Sequence, residues 1–363
     1  MDNSFFIFTD KAKPILIERF HMCTWEFSND SSLVEFGFEI NKESIVEDEM
    51  TIEMYIPWVS EKCQKKDLYG KLSNAENSRF IFNDSINGTE YLKNNTNNLG
   101  VIHTFSGRNE LCVLPATVNI SNDRIISISL NLKNYREKYQ QDEKPNIYFR
   151  FWIKPELPFI SMRKKGISKS TIIYDIKINE RRNIPVDKID YFSDKVFCKI
   201  RYCFSFNILP NKYDIVFFDN GSLKNVRTLE YESFNKYLGD KRVKKDELIV
   251  VFNKKEVDEF ENKKVAESFS FFSIYSKERI GPGQFALAIL INIVCGVLLF
   301  IPAYRKTFVP EISLLNVWKV LPNEIYIALG IALATLIYFT LPLINSQLNK
   351  GWLWLLIKIG YKK

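Results

Sequence analysis

Hydrophobic and polar residues alternate with a period of two along most of the first 275 residues. Such alternation is typical of strands that bury one face, and the Ile-, Val-, Phe- and Tyr-rich stretches suit a pleated sheet. Only "NLKNYREKYQQ" and "YESFNKYLG" have the spacing of short helices. Many short strands indicate a mainly β fold of antiparallel sandwich or barrel modules. The number of strands predicts two modules, at 1–160 and 161–275.

The hydrophobic pattern changes after residue 275. Two runs of 25 uncharged residues lie between Arg279 and Arg305 and between Glu324 and Lys350. A helix needs roughly 20 apolar residues to cross a bilayer, and both runs exceed that length. We therefore predict a membrane module over 276–363. It contains a transmembrane α-helical hairpin, with helices at about 285–304 and 325–344, and a C-terminal interfacial segment.

Charge follows the same division of the chain. The net charge is +7, and nine basic residues against three acidic ones lie from residue 276 onward. Most of the positive charge therefore flanks the predicted spans and is no sign of nucleic-acid binding by the whole protein. More of the flanking Lys and Arg residues lie outside the hairpin than in its connecting loop, which predicts a cytoplasmic N-terminal domain and C-terminus. Six cysteines without disulfide spacing fit that compartment.

Motifs for catalysis and metal binding are absent from the sequence. The chain has two histidines, and it has no P-loop, dinucleotide-binding, nucleophile-elbow or HExxH pattern. Cys198 and Cys203 are five apart on a predicted strand, so they face opposite sides and form no metal clamp. The sequence thus favours a protein that is not an enzyme and has no metal or cofactor. A site assembled from distant residues would instead need a deep pocket with convergent titratable groups.

The stretch "YFRFWIK" at 148–154 is the best candidate for ligand binding. On a strand, Phe149, Phe151 and Ile153 point to the core, and the alternate residues share an exposed aromatic and basic face. Such a face can stack on bases and neutralise phosphates. With the basic residues that follow and those of "KIRYCFSF", the candidate ligand-binding residues are Tyr148, Arg150, Trp152, Lys154, Arg163, Lys164, Lys165, Lys169, Lys199 and Arg201.

Two readings of this basic face stay open. Lys and Arg on a strand's solvent face also protect an edge against pairing, and Trp152 could pack against a neighbouring module. If the face binds a ligand, a nucleotide or a single-stranded oligonucleotide fits better than duplex DNA, because the basic area is local and aromatic.

The predicted membrane helices carry a second set of candidates. Asn292 lies in the middle of the first span, where an amide must face another helix or water. Small residues four apart in the second span allow close helix approach. The candidates for pore lining or helix packing are Asn292, Ala328, Gly330, Ala332, Ala334, Thr335 and Thr340. A pore and a simple anchor bundle both fit this pattern.

The order of a β domain followed by "FALAILINIVCGVLLF" and "IYIALGIALATLIYF" resembles the membrane effectors of bacterial anti-phage abortive-infection systems, such as the CBASS and Hailong types. The resemblance implies an oligomeric membrane effector, with a tetramer favoured, in the bacterial inner membrane. It also implies control by a nucleotide that a partner nucleotidyltransferase makes. The alternative is a membrane-anchored scaffold whose β modules bind protein and which has no channel activity.

Overall fold

The computed structural model describes residues 4–27, 32–93, 96–140, 143–156, 161–166, 169–219, 222–245, 248–256, 266–278, 282–313, 316–334 and 336–337. Within these residues the fold is mainly β, as predicted. The strands are β1 (Ser4–Asp10), β2 (Leu16–Trp25), β3 (Leu33–Ile40), β4 (Glu49–Tyr55), β5 (Gln64–Asp67), β6 (Ile86–Lys93), β7 (Thr96–Phe105), β8 (Leu111–Val113), β9 (Thr117–Ile120), β10 (Ile125–Asn131), β11 (Asn146–Lys154), β12 (Met162–Lys165), β13 (Lys169–Ile178), β14 (Lys195–Phe197), β15 (Lys199–Pro210), β16 (Asp214–Phe218), β17 (Leu223–Thr228), β18 (Leu248–Glu256) and β19 (Phe269–Glu278).

The described strands form two sheets. The smaller sheet has the order β16-β19-β13-β1-β4-β10-β9, with β12 beside β13 and β14 beside β1. The larger sheet has the order β17-β18-β15-β2-β3-β11-β8-β7-β6, with β5 beside β11. Most neighbours are antiparallel, but β1 with β13, β2 with β15 and β8 with β11 are parallel. Both sheets are thus mixed, where the sequence pattern predicted antiparallel ones.

The two predicted β modules are not separate. β1 pairs with β13 in the smaller sheet, and β2 pairs with β15 in the larger one, so each sheet contains strands from both sides of residue 160. The described residues up to Lys277, apart from 166–170, form one compact unit. The reason is physical: period-two alternation shows which face a strand buries, but it does not encode which distant strand it pairs with.

The main core lies between the two sheets. Phe5 of β1 in the smaller sheet meets Phe36 of β3 in the larger sheet edge to face, with ring centroids 6.1 Å apart. Phe38 stacks on Phe149 of β11 at 4.9 Å within the larger sheet. This contiguous apolar cluster fixes which face of each strand looks inward.

Short helices cover the other face of the larger sheet, which we call the outer face. The helices of this unit are α1 (Tyr69–Leu72), α2 (Ala75–Phe82), α3 (Lys133–Lys138), α4 (Ile189–Ser193) and α5 (Tyr231–Leu238). The predicted helices in "NLKNYREKYQQ" and "YESFNKYLG" are thus confirmed as α3 and α5. The side chains of α1, α2 and α5 pack with Trp25, Leu33 and Tyr148 in a second apolar cluster on the outer face.

The second compact unit contains residues 166–170 and the described residues from Glu278 onward. Its long helix α6 spans Pro282–Phe308, and over Leu287–Phe308 it is long and apolar enough to cross a membrane. A shorter apolar helix, α7, spans Asn323–Ala334. The predicted hairpin of two spans is not shown, because residues 338–344 of the second span lie outside the described residues, as does the C-terminal interfacial segment.

Candidate functional site

Strand β11 divides its side chains between the two faces as its alternation predicts. Phe149, Phe151 and Ile153 are fully buried in the core between the sheets. Tyr148 and Arg150 point to the outer face but are buried as well, which corrects the prediction that they are exposed. The cause is the helical cover, in which Phe82 at the end of α2 packs on Tyr148 at 4.9 Å between ring centroids.

Arg150 is held by a buried carboxylate. Its Nε and Nη2 donate to Glu35 Oε2 of β3 at 2.7 Å and 2.6 Å. The Tyr237 hydroxyl of α5 donates to the same oxygen at 3.0 Å, and Trp25 Nε1 donates to Oε1 at 2.8 Å. Burial raises the pKa of the Tyr237 hydroxyl, which therefore stays protonated as a donor. The Arg150–Glu35 ion pair is neutral overall, and both oxygens of its carboxylate accept hydrogen bonds.

A cavity of about 470 Å³ opens on the outer face beside this pair. That volume lies in the range typical of small-molecule sites. Strands β2, β15, β17 and β18 form its floor, and the end of α2 and part of α5 form its cover. Among the described residues its lining includes no acidic side chain. The lining residues are Arg19, His21, Cys23, Phe80, Ile81, Phe82, Asn83, Arg108, Arg150, Phe204, Phe206, Ile208, Lys224, Asn225, Arg227, Phe234, Val250 and Phe252.

Aromatic rings form the floor of the cavity. Phe206 of β15 and Phe252 of β18 stack nearly parallel, with an interplanar angle of 6° and centroids 4.8 Å apart. Phe204 lies 4.8 Å from the His21 ring of β2. On the cover, Phe80 of α2 meets Phe234 of α5 edge to face at 4.6 Å. These flat surfaces can hold a planar ring by stacking.

Two arginines share one carboxylate at the side of the cavity. Arg108 Nη2 donates to Glu39 Oε2 at 2.8 Å, and Arg19 Nε lies 3.6 Å from the same oxygen. Asn146 Nδ2 donates to the other oxygen of Glu39 at 2.9 Å. Because each guanidinium carries five N–H donors, this arrangement leaves net positive charge and spare donors for an anion.

Edge strand β17 supplies two more cations to the lining. Lys224 is exposed, and Arg227 Nη1 lies 3.5 Å from Glu230. The cavity therefore combines stacked rings with positive charge from two sides. This combination suits a small anionic ligand that carries a flat ring.

The predicted ligand residues are not gathered at this cavity; only Arg150 lines it. Trp152 and Lys154 are half-buried farther along β11. Arg163 pairs with the buried carboxylate of Glu26, and Arg201 Nη1 donates to Glu18 at 2.8 Å. The exposed cations are Lys164, Lys169 and Lys199, and the side chain of Lys165 lies outside the described residues.

Most residues of the cavity were missed by the sequence prediction. Alternation in "ERFHMC" places Arg19, His21 and Cys23 on one face of β2, and alternation in "YCFSFNI" does the same for Phe204 and Phe206. These signals are readable. The convergence of Arg108, Lys224 and Arg227 with them depends on pairing between distant strands, which alternation does not encode.

The small residues of α7 divide between two faces. Ala328 packs against the cluster of Val297 and Ile301 of α6, and Ala332, one turn farther along α7, is only 6% exposed. Gly330 and Ala334 are exposed, and so is Asn292 on α6. Thr335 and Thr340 lie outside the described residues. One predicted small residue, Ala328, therefore packs at the contact between the two helices and its partner Ala332 is buried, whereas pore lining stays a prediction.

Metal binding has no support in the part of the chain that the structure describes, which holds no cluster of three His, Cys, Asp or Glu side chains suited to an ion. Comparison with known proteins gives no family assignment, since neither a protein-family model nor a curated protein matches the chain.

Proposed function

We propose that this chain is a membrane-attached effector that binds a nucleotide or short single-stranded oligonucleotide in the cavity on the outer face of the larger sheet. The observation that carries the proposal is the convergence of Arg19, Arg108, Lys224 and Arg227 on a floor of stacked phenylalanine rings. Stacking contributes about 1–3 kcal/mol per base, and the spare guanidinium donors suit phosphate oxygens. A phosphate without a base would use only half of the site.

The membrane part of the proposal rests on α6, which is long and apolar enough to span a bilayer. The flanking Lys and Arg residues favour an orientation in which the β unit faces the cytoplasm. The apolar helices then lie in the bacterial inner membrane. In this proposal the chain forms a homo-oligomer, with a tetramer favoured, and a partner nucleotidyltransferase makes the nucleotide. Ligand binding then controls an ion channel or another permeabilising activity in anti-phage defence, as the architectural resemblance suggests.

Calorimetric titration of the full chain in detergent tests the ligand. The probes are ribonucleoside monophosphates, cyclic dinucleotides and dinucleotides, with ribose 5-phosphate and inorganic phosphate as probes that lack a base. Lys224→Glu/Arg227→Glu should weaken nucleotide binding about tenfold or more, because it reverses charge at the lining. Lys164→Glu/Lys199→Glu makes the same charge change at exposed positions outside the cavity and should leave affinity within twofold.

Several results would contradict this assignment. Equal affinity for ribose 5-phosphate and every nucleotide would mean that the aromatic floor contributes nothing to binding. An equal effect of both charge reversals would reduce the site to general electrostatics, which salt would also screen. Ligand-dependent ion flux through vesicles that contain the full chain, together with the mass of the detergent-solubilised protein, tests the channel and the oligomer.

A protein-binding scaffold is the second candidate function. It is favoured by exposed apolar side chains on edge strands β16 and β17, where Val216 is 58% exposed and Phe217 is 48% exposed. Uncovered apolar edges are typical pairing sites. The scaffold predicts no nucleotide binding and no conductance, so the same titration and flux measurements separate the two functions.

A further inference from the structure

His21 lies on the central strand β2 at the floor of the cavity. Strand pairing places it beside Phe204 of β15 on one side and Gly37 of β3 on the other. Its Nδ1 is 3.2 Å from the Tyr148 hydroxyl, whereas its Nε2 has no hydrogen-bond partner among the described residues. The imidazole therefore has one nitrogen fixed by the protein and one that is left for a ligand.

Gly37 makes the contact between Tyr148 and His21 geometrically possible. Tyr148 is on β11, His21 is on β2, and β3 runs between them. The Tyr148 side chain crosses β3 at Gly37, where a Cβ would clash with its hydroxyl and would lie 3.1 Å from its Cζ. A side chain at position 37 would thus separate the hydroxyl from the imidazole.

The position of the imidazole proton depends on the hydrogen bonds that Tyr148 makes. Arg150 Nη1 donates to the Tyr148 oxygen at 3.5 Å, and arginine can only donate. The Tyr148 oxygen can accept from Arg150 and still donate its own proton, and we assign that donation to His21 Nδ1, which is in contact with the hydroxyl. A neutral imidazole has one proton, so that proton is on Nε2.

The surroundings keep this imidazole neutral. Burial is the largest cause that lowers the pKa of His21 well below 6.5, and the nearby charges of Arg150, Arg19 and Arg108 lower it further. Burial also raises the pKa of Tyr148, which therefore keeps its proton. At neutral pH His21 accordingly presents a neutral N–H donor at the cavity floor between cations.

We infer that His21 is a specificity-determining residue, whose Nε2–H donates to a hydrogen-bond acceptor on the ring of the bound ligand. The inference rests on the proposed function and deepens it. The cations attract any phosphate, and the phenylalanines stack on any flat ring, so neither distinguishes one base from another. A fixed donor in a partly dry site does, because a ring that lacks the acceptor leaves the N–H unpaired.

The test compares nucleotides that differ by one acceptor atom. For the base that the full chain binds most tightly in detergent, analogues lacking each ring nitrogen or exocyclic oxygen in turn are titrated. Wild type should bind one of them about tenfold more weakly than the parent nucleotide, the value expected for one hydrogen bond to a buried donor. His21→Phe keeps a ring but lacks the N–H. Its affinities for the parent nucleotide and for that analogue should differ by less than twofold.

Two further variants separate recognition from packing. Tyr148→Phe removes the hydroxyl that fixes the imidazole and should reduce discrimination to about threefold. Phe204→Leu should weaken parent and analogue equally and keep the tenfold ratio, since it removes stacking area only. Full discrimination by His21→Phe, or equal affinity of wild type for every analogue, would overturn the inference while leaving nucleotide binding intact. Failure of every nucleotide to bind would overturn the proposed function and this inference together.

Discussion

The two faces of the larger sheet come from the same strands, yet they bury different chemistry. Toward the smaller sheet, Phe36 and Phe151 pack in an apolar core. Toward the helices, Glu35, Tyr148 and Arg150 form a buried hydrogen-bonded group beside an open cavity. Alternation separates these faces correctly, but a polar side chain on the second face is no sign of exposure. Whether such a side chain is exposed depends on which helices or loops pack over that face.

Arg150→Met should have the largest effect, a loss of about 3–5 kcal/mol in the free energy of unfolding, because it leaves the Glu35 carboxylate buried without its cation. Phe151→Ala on the inner face should cost a similar amount through a cavity. Denaturation of the full chain in detergent, followed by tryptophan fluorescence, measures both.

A second substitution distinguishes the two faces. Glu35→Gln removes the buried charge that Arg150→Met leaves unpaired, and it keeps an oxygen acceptor for Trp25. The double variant Arg150→Met/Glu35→Gln should therefore recover at least half of the lost free energy of unfolding. Phe151→Ala combined with Glu35→Gln should show no recovery. Equal behaviour of the two pairs would mean that the outer face is stabilised by packing alone.

Gly37→Ala should destabilise the protein by about 2–3 kcal/mol, since the new methyl displaces the Tyr148 side chain from its site across β3. Gly70→Ala in α1 is the matched control, because an added Cβ there meets nothing within 4 Å. We expect the control to be neutral or slightly stabilising. A neutral Gly37→Ala would contradict the described path of Tyr148.

The last effect concerns Asp67 at the end of β5 and is lost at low pH. Burial raises its pKa from 3.8 to about 6, and its Oδ1 has no hydrogen-bond partner. The folded state thus binds this proton more tightly than the unfolded state, and stability falls as pH rises from about 4 to about 6. Asp67→Asn should be about 2–3 kcal/mol more stable than wild type at pH 8 and equal to it near pH 3. A pH-independent difference would contradict the raised pKa.

How much of the site could be predicted differs from residue to residue. The faces of β11 follow from "YFRFWIK" alone, and α5 follows from its helical spacing. Helix α2 was missed, although Asn74 caps it by accepting from the backbone N–H of Glu76 and Asn77, a signal readable in "SNAENSRF". That helix turns the predicted solvent face into the cover of a cavity.

Long-range pairing explains the rest of the difference. Arg163 was predicted to bind a ligand, but it pairs with Glu26, which lies 137 positions earlier in the chain. Nothing in the spacing around Arg163 indicates that partner. The same limit applies to the cavity, because Arg19 and Arg227 reach one lining only through the order of the strands in the larger sheet.

Photolabelling of the full chain with 8-azido purine nucleotides, followed by peptide mass mapping, tests the central claim most directly. The account predicts labels on the cavity peptides, at 80–83, 204–208 and 250–252, with protection by the unmodified nucleotide. If residues 162–169 were labelled instead, and the unmodified nucleotide prevented that labelling, the ligand would lie at the basic stretch that the sequence first indicated. That result would contradict the assignment of the cavity.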